Sequence, residues 1–384
     1  MKNFCYENLK KLKSSKIFLS FKFYQNRKNY TNKNLNSSSF KYYRQFFMFP
    51  ILFMPKIAFS KDEEDKNSNS LEMKEIVKGE YENRIRSFAS VEKRFLVFAK
   101  VKQIGDYKMT YGQFLQSLLP FNYIKTKSVE EMEKYLQTNE IFNRLIKYVD
   151  VNNDNFINFE EFICLSVLLT TPILKFKEKF PDGKITRSEF TDFLMEHIRN
   201  EGSFKITSKS IMDGRIVKTD ELLLRQCVMD FFTKAFNNDT KISIDKDLKI
   251  FKFKIYLMLL IYEFFSIPQV GDKKISMENF AKVLISYVNI FRSKKLLSKI
   301  TEKKIDLEGE VTFDEYLCFF WLLNNIFQEK NQIFKDKKLS IEDFKKLFKE
   351  KINSCPDLGL KIKKSINEKQ LKVMIELFDE NGKI

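Results

Sequence analysis

The chain has 384 residues, 43% of them hydrophobic and 15% aromatic, and a formal net charge of +17. That is enough apolar material for two or three packed units, which excludes a disordered tail. Of the surplus charge, +11 lies in Met1 to Ser60, where 12 lysines and arginines face the single acid Glu7, so the body of the chain is nearly balanced and carries no nucleic-acid footprint.

In chain order, residues 1–45 are basic, rich in serine and asparagine and nearly free of acids, the composition of a mitochondrial transit peptide. FFMFPILFMPKIAFS, 46–60, is apolar but broken by Pro50, Pro55 and Lys56, and is shorter than the roughly 20 residues a spanning helix needs. It reads as a presequence remainder, an interfacial segment or a candidate anchor. Residues 61–70, KDEEDKNSNS, read as a solvated linker. The five cysteines, Cys5, Cys164, Cys227, Cys318 and Cys355, form no CxxC pair; Cys164 and Cys318 sit in apolar runs and read as core residues.

From residue 71 a half-motif recurs: an aliphatic residue, a Ser, Thr or Asn, two variable positions, a polar residue and usually an aromatic. Its copies are MTYGQF (Met109), INFEEF (Ile157), ITRSEF (Ile185), ISIDKDL (Ile242), ISMENF (Ile275), VTFDEY (Val311) and LSIEDF (Leu339). Each matches the second half of an EF-hand. Loop position 8 is an aliphatic residue that pairs with a neighbouring hand, position 9 caps the exit helix, and position 12 carries the bidentate carboxylate. Helical stretches of suitable length separate the copies. The expected fold is all-α, tandem EF-hand helix-loop-helix pairs in two lobes with short loop-pairing strands: a first lobe in 71–200 and a second, degenerate one in 201–384.

One copy meets every ligand requirement. In DVNNDNFINFEE, 150–161, the oxygens come from Asp150, Asn152, Asp154, the carbonyl of Phe156, Asn158 and Glu161. A divalent cation that takes six to eight hard oxygens, calcium (Ca2+), fits this set. Asn155 stands where glycine normally makes the sharp turn, and asparagine is the residue that best replaces it. Three carboxylates imply a dissociation constant on the order of micromolar. The other copies fail. In one, Glu178, Phe180 and Asp182 precede Glu189; in another, Lys304 stands before Asp306, Glu308 and Glu315; the rest carry Gln113, Lys246, Asn279 or Asp343 at position 12. LFDENGKI, from Leu377, begins a further loop with Asp379, Asn381 and Gly382 but stops before any position 12, as an incomplete or vestigial hand would. Catalysis has no support: the one histidine is His197, ten glycines form no phosphate loop, and no nucleophile stands beside a base.

GEYENRIRSFASVEKRFLVFAKVK, Gly79 to Lys102, adds a family likeness. With MTYGQFLQSLLP, FINFEEFICLSVLLTTP, the stretch from Phe231 to Phe251, Lys273 to Tyr287 and Glu310 to Ile326, it resembles the mitochondrial calcium uptake proteins, regulators of the calcium uniporter. The likeness covers about 75–384, and YENRIR is its most specific part. It implies a calcium-sensing gatekeeper subunit in the intermembrane space, on the inner membrane surface, which holds the uniporter channel complex shut at low calcium. It also implies a homo- or heterodimer with a related EF-hand protein, and docking through basic residues near YENRIR, here Arg84 and Arg86. The sequence departs from the family where Phe176 to Phe190 has lost its ligands, in the hand after the Thr-Pro turn, and at the C-terminal hand, where the chain ends. The alternative is a structural or scaffold subunit that kept the fold and lost sensing.

Overall fold

The computed structural model describes residues 73–103, 105–200, 208–209, 216–217, 219–236, 240–288, 290–333, 346, 350 and 368–378. The transit peptide, the apolar segment, the linker, the Leu339 copy, the Asp379 loop, Cys5 and Cys355 lie outside them.

Helix α1 (Met73–Phe88) and α2 (Val91–Phe98) lead to a two-stranded ribbon, β1 (Val101–Gln103) and β2 (Asp106–Lys108). Then come α3 (Tyr111–Leu118), α4 (Val129–Thr138), α5 (Glu140–Ile146), α6 (Phe159–Thr170), α7 (Ile173–Lys179), β3 (Lys184–Thr186) and α8 (Arg187–Asn200). A short ribbon of β4 (Ser208–Lys209) and β5 (Ile216–Val217) precedes α9 (Glu221–Ala235), β6 (Lys241–Ser243), a π-turn (Ile244–Leu248) and α10 (Lys249–Ser266). The last described elements are β7 (Lys274–Ser276), α11 (Met277–Ser286), α12 (Ile290–Thr301), β8 (Glu310–Thr312), α13 (Phe313–Ile333) and α14 (Glu368–Phe378). The fold is all-α apart from these small antiparallel pairs.

The position 8 residues pair as the half-motif requires. Met109 and Ile157 exchange N–H to carbonyl hydrogen bonds of 2.9 and 2.8 Å, Ile185 faces Ile242, and Ile275 faces Val311. All six of these side chains are buried. A β-branched or unbranched apolar residue there sends its side chain into the core while the flanking strand residues face the loops. Three hand pairs result.

Position 9 starts each exit helix. Thr110, Asn158, Thr186, Ser276 and Thr312 accept from the backbone N–H three residues on. Where that residue is Gln113, Glu161, Glu189 or Glu315, its side chain accepts in return from the cap's own N–H. The ISIDKDL copy carries one residue more than the pattern, and the π-turn absorbs it. Ser243 still caps Lys246, but the reciprocal acceptor is Asp247, one position later.

Phenylalanines, with Tyr316, are the largest of the fully buried side chains. Phe95 stacks edge-on against Phe159, and Phe190 packs against Phe232 and Phe236. One buried cluster runs from Val91 to Tyr262 and holds the first two hand pairs; a second holds Tyr123, Ile124 and the residues from Leu260 to Leu377. The lobe boundary expected at 200/201 therefore falls inside the second pair, because β3 and β6 join across it. Helix α10 belongs to both cores. Cys164 and Cys318 are buried free thiols, as their apolar surroundings imply. No described helix is long and apolar enough to cross a membrane.

Candidate metal centre

The loop 150–161 leaves α5 and enters α6. The Met109 to Ile157 bridge holds its far end, and two left-handed residues, Asn153 (φ 58°) and Asn155 (φ 66°), turn its tip. Asn155 thus adopts the conformation usually reserved for glycine at that position.

The six proposed ligand positions share this one loop, and their side chains hold each other in place. Asp154 N–H donates to both Asp150 Oδ1 (3.2 Å) and Asn152 Oδ1 (2.9 Å), so these two oxygens lie on the same side of the loop. Asp150 Oδ2 accepts from Asn155 N–H (3.1 Å) and from the Tyr111 hydroxyl (2.7 Å). Asp154 Oδ1 accepts from Phe156 N–H at 2.9 Å. Glu161 reaches back from α6: Oε1 accepts from Val151 N–H (2.6 Å) and Asn152 N–H (3.2 Å), while Oε2 accepts from Asn158 N–H (3.0 Å). Asp150 and Glu161 are buried, 3% and 2% exposed.

Burial dominates the loop's electrostatics. Burial raises the Glu161 carboxyl to about 7, opposed by its three N–H donors and helped by the charge of Asp150. The Tyr111 hydroxyl is pushed well above its ordinary range, first by burial, then by its hydrogen bond to Asp150 and the charges of Asp150, Asp154 and Glu161.

Two lysines complete the site. Lys108 Nζ lies 2.6 Å from Asp154 Oδ2 and 6.0 Å from the Phe156 ring centroid. Lys234, on α9, donates to the carbonyls of Asp150 (2.5 Å) and Val151 (3.1 Å) and to Asn153 Oδ1 (2.7 Å); burial lowers its pKa. The loop's sequence points to neither these lysines nor Tyr111. Lys108 and Tyr111 flank Met109 in the paired hand, and pairing by position 8 is the signal that could have found them.

The donor set has the chemistry of a calcium site: three carboxylates, two amide oxygens and a main-chain carbonyl, with no sulfur or imidazole. In this conformation the carboxylates are committed to N–H, O–H and ammonium donors. Among the described residues no three acid, histidine or cysteine side chains close on one point. The residues fit the ion, and turning Asp154 and Glu161 away from these donors is what holding it requires.

The two arginines separate. Arg84 is exposed. Arg86 turns inward: it donates to the Gln116 carbonyl (2.9 and 3.2 Å) and to Asn83 Oδ1 (3.0 Å), pairs with Glu82 at 3.1 Å, and lies 4.7 Å over the Phe98 ring. Burial lowers its pKa to about 10, against the pull of Glu82. These contacts engage the Arg86 guanidinium within the protein, which leaves Arg84 as the exposed arginine of the two.

The worn hands show what replaces ligands. Phe180 packs on Phe193, Asp182 pairs with Lys241 at 3.4 Å, and Asp306 lies 3.7 Å from Lys369.

No family model matches the chain. It is 28% identical over 276 residues to calcium uptake protein 1, mitochondrial, of Bos taurus, covering 64% of this chain and 55% of that protein. The Mus musculus protein of the same name is 28% identical over 297 residues, covering 70% and 59%. The Caenorhabditis briggsae homolog is 23% identical over 384 aligned positions, covering 84% and 66%. The chain thus spans a little over half the length of the mammalian relatives. The solved structure described as "Crystal Structure of EFHA2 in Ca-binding State" is similar at a TM-score of 0.45 and 19% identity, covering 77% of this chain and 94% of that one. In sequence, over a helix-loop-helix fold whose loops pair as the motif demands, the chain is similar to the mitochondrial calcium uptake proteins.

Proposed function

We propose that this protein is a calcium-sensing regulator of mitochondrial calcium uptake, a gatekeeping subunit of the uniporter channel. It would work at the inner membrane surface, in the intermembrane space, as a dimer with a second copy or a related chain. The relatives are named for mitochondrial calcium uptake. The observation that carries the reading is the loop 150–161, in which all six ligand positions hold oxygen donors and the turn residue Asn155 adopts its required conformation.

A bound calcium ion would supply a divalent charge at the loop's centre. Asp150, Asn152, Asp154, the Phe156 carbonyl, Asn158 and Glu161 would hold it. For Glu161 that means leaving the N–H groups of Val151 and Asn152, and Glu161 sits in the first turn of α6, which is buried at every position but Glu160. A side chain that moves there moves a helix packed in the first core, and EF-hand signals are changes of helix angle. Arg84, exposed on α1, is the candidate contact for acidic groups on the channel.

One observation favours the rival reading, a structural subunit without sensing: the loop's carboxylates are already satisfied by Lys108, Tyr111 and backbone donors. Calorimetric titration of calcium into the full chain separates the two. We expect a saturable heat at calcium on the order of micromolar, lost in Glu161→Gln. Absence of heat up to millimolar calcium would leave the scaffold reading standing.

A further inference from the structure

We infer that Lys108 is a built-in competitor for the cation at the Asp150 to Glu161 loop, an ammonium that the worn partner hand lends across the strand bridge. The inference rests on the reading of that loop as a calcium site.

It begins with a repetition. In each hand pair the residue just before one paired position 8 is a lysine, Lys108 before Met109, Lys241 before Ile242 and Lys274 before Ile275. Each reaches a carboxylate of the opposite loop: Lys108 to Asp154 at 2.6 Å, Lys241 to Asp182 at 3.4 Å, and Lys274 to Glu310 at 2.8 Å. Strand alternation explains the geometry. Position 8 points into the core, so position 7 points to the other side, over the partner loop.

In the second and third pairs the partner loop lacks a ligand set, and both ion-pair members are about half exposed, a setting in which such pairs contribute little. The first pair differs on both counts. Its lysine and aspartate are 20% and 29% exposed, and the aspartate is position 5 of a complete ligand set. An ammonium at 2.6 Å neutralises the oxygen that position 5 would offer, and it repels a second cation from the same place. Calcium and the ammonium of Lys108 therefore compete for Asp154.

Lys234 provides an internal contrast. It carries the same charge at the same loop, yet its acceptors are the carbonyls of Asp150 and Val151 and the side chain of Asn153, none of them in the ligand set. It holds the loop's entry in shape without occupying a ligand.

The test is calorimetric titration of calcium into the full chain at fixed pH and ionic strength, for wild type, Lys108→Gln and Lys234→Gln. Thermal melts without calcium establish that each variant is folded, and Lys108→Met serves as a second substitution that keeps the apolar stem. Lys108→Gln is expected to tighten binding by about five- to tenfold, as removal of a partly buried opposing charge would. Lys234→Gln is expected to leave it within about twofold or to weaken it. A wild type without measurable heat beside a Lys108→Gln that binds would be the competition in its strongest form. Unchanged or weaker binding in Lys108→Gln overturns the proposal, and so does equal tightening in both variants, which would make the effect one of net charge. Absence of heat in wild type and in both Lys108 variants would instead overturn the reading of the loop as a calcium site.

Discussion

The ammonium of Lys252, on α10, donates to the main-chain carbonyl of Thr171, the residue that caps the C-terminal end of α6. Lys252 is 4% exposed, 5.7 Å from the Phe176 ring, and burial lowers its pKa to about 7. A cation is favoured at that end of a helix, where unpaired carbonyls carry partial negative charge. Because α10 contributes Phe251 and Ile255 to one core and Phe264 to the other, this contact ties the exit helix of the candidate calcium hand to the third hand pair.

Trp321, the sole tryptophan, packs against that second core and reports on the tie. Calcium is expected to change its emission in the full chain. In Lys252→Met the heat of calcium binding should persist while most of the emission change disappears. An emission change as large as wild type in that variant would show that the signal does not pass through Lys252.

Glu263 gives the stability a pH dependence. Its carboxylate, 2% exposed, accepts from the Tyr287 hydroxyl (2.9 and 3.0 Å) and the Tyr316 hydroxyl (2.5 Å), yet burial outweighs these bonds and raises it from 4.5 to about 7. The folded state binds this proton more tightly than the unfolded state. The group's contribution is therefore full below 4.5 and is lost as pH rises through about 7. Glu263→Gln should match wild type near about pH 4.5 and exceed it above about pH 7, by on the order of 3 kcal/mol. Denaturant unfolding at several pH values checks this; an offset independent of pH would contradict it.

Asn155 is the cheapest probe of the loop's turn. With φ at 66°, Asn155→Ala should cost about 1 kcal/mol, because an alanine Cβ crowds the backbone there, whereas Asn155→Gly should be close to neutral. Melting curves without calcium measure both. Equal losses in the two variants would mean that the side chain, and not the backbone, matters.

Three residues of helix α1 differ in their surroundings: Gly79 is packed, Arg86 turns inward and Arg84 is exposed. A Cβ at Gly79 would stand 2.2 Å from Cγ of Phe121, so Gly79→Ala should destabilise by about 1–3 kcal/mol. Arg86→Ala should also cost roughly 1–3 kcal/mol, since the Gln116 carbonyl loses its donor. Arg84→Ala should stay within about 0.5 kcal/mol of wild type. Thermal unfolding ranks the three, and a stable Arg86→Ala would restore that residue to the exposed face.

Much of the fold was legible because the EF-hand half-motif is local: an aliphatic residue and a cap two steps apart fix both a strand pair and a helix start. That each position 8 residue pairs follows from the motif; that Ile185 takes Ile242 and Ile275 takes Val311 comes from the structure. The six oxygen positions of 150–161 are legible for the same reason. What sequence reasoning missed is contact between distant residues. Lys108 is 46 residues from Asp154, Lys234 is 84 from Asp150, and Lys252 is 81 from Thr171. No period connects them. The inward contacts of Arg86 were not legible because a basic residue on a helix says nothing about which face is buried, and α1 lays that face against Phe98 and Gln116. The pairing of β3 with β6 was equally hidden, since these strands meet across the stretch expected to divide the lobes.

The cross-loop lysines have one more effect. In many helix-loop-helix domains the metal is part of the fold, because clustered carboxylates repel until a cation joins them. Here ammonium groups already stand against Asp154, Asp182 and Glu310, and the strands close beside them. These ammonium groups offset the repulsion among the loop carboxylates. A loop whose negative charge is already balanced from within depends less on an ion for its folding than a loop of unpaired carboxylates does.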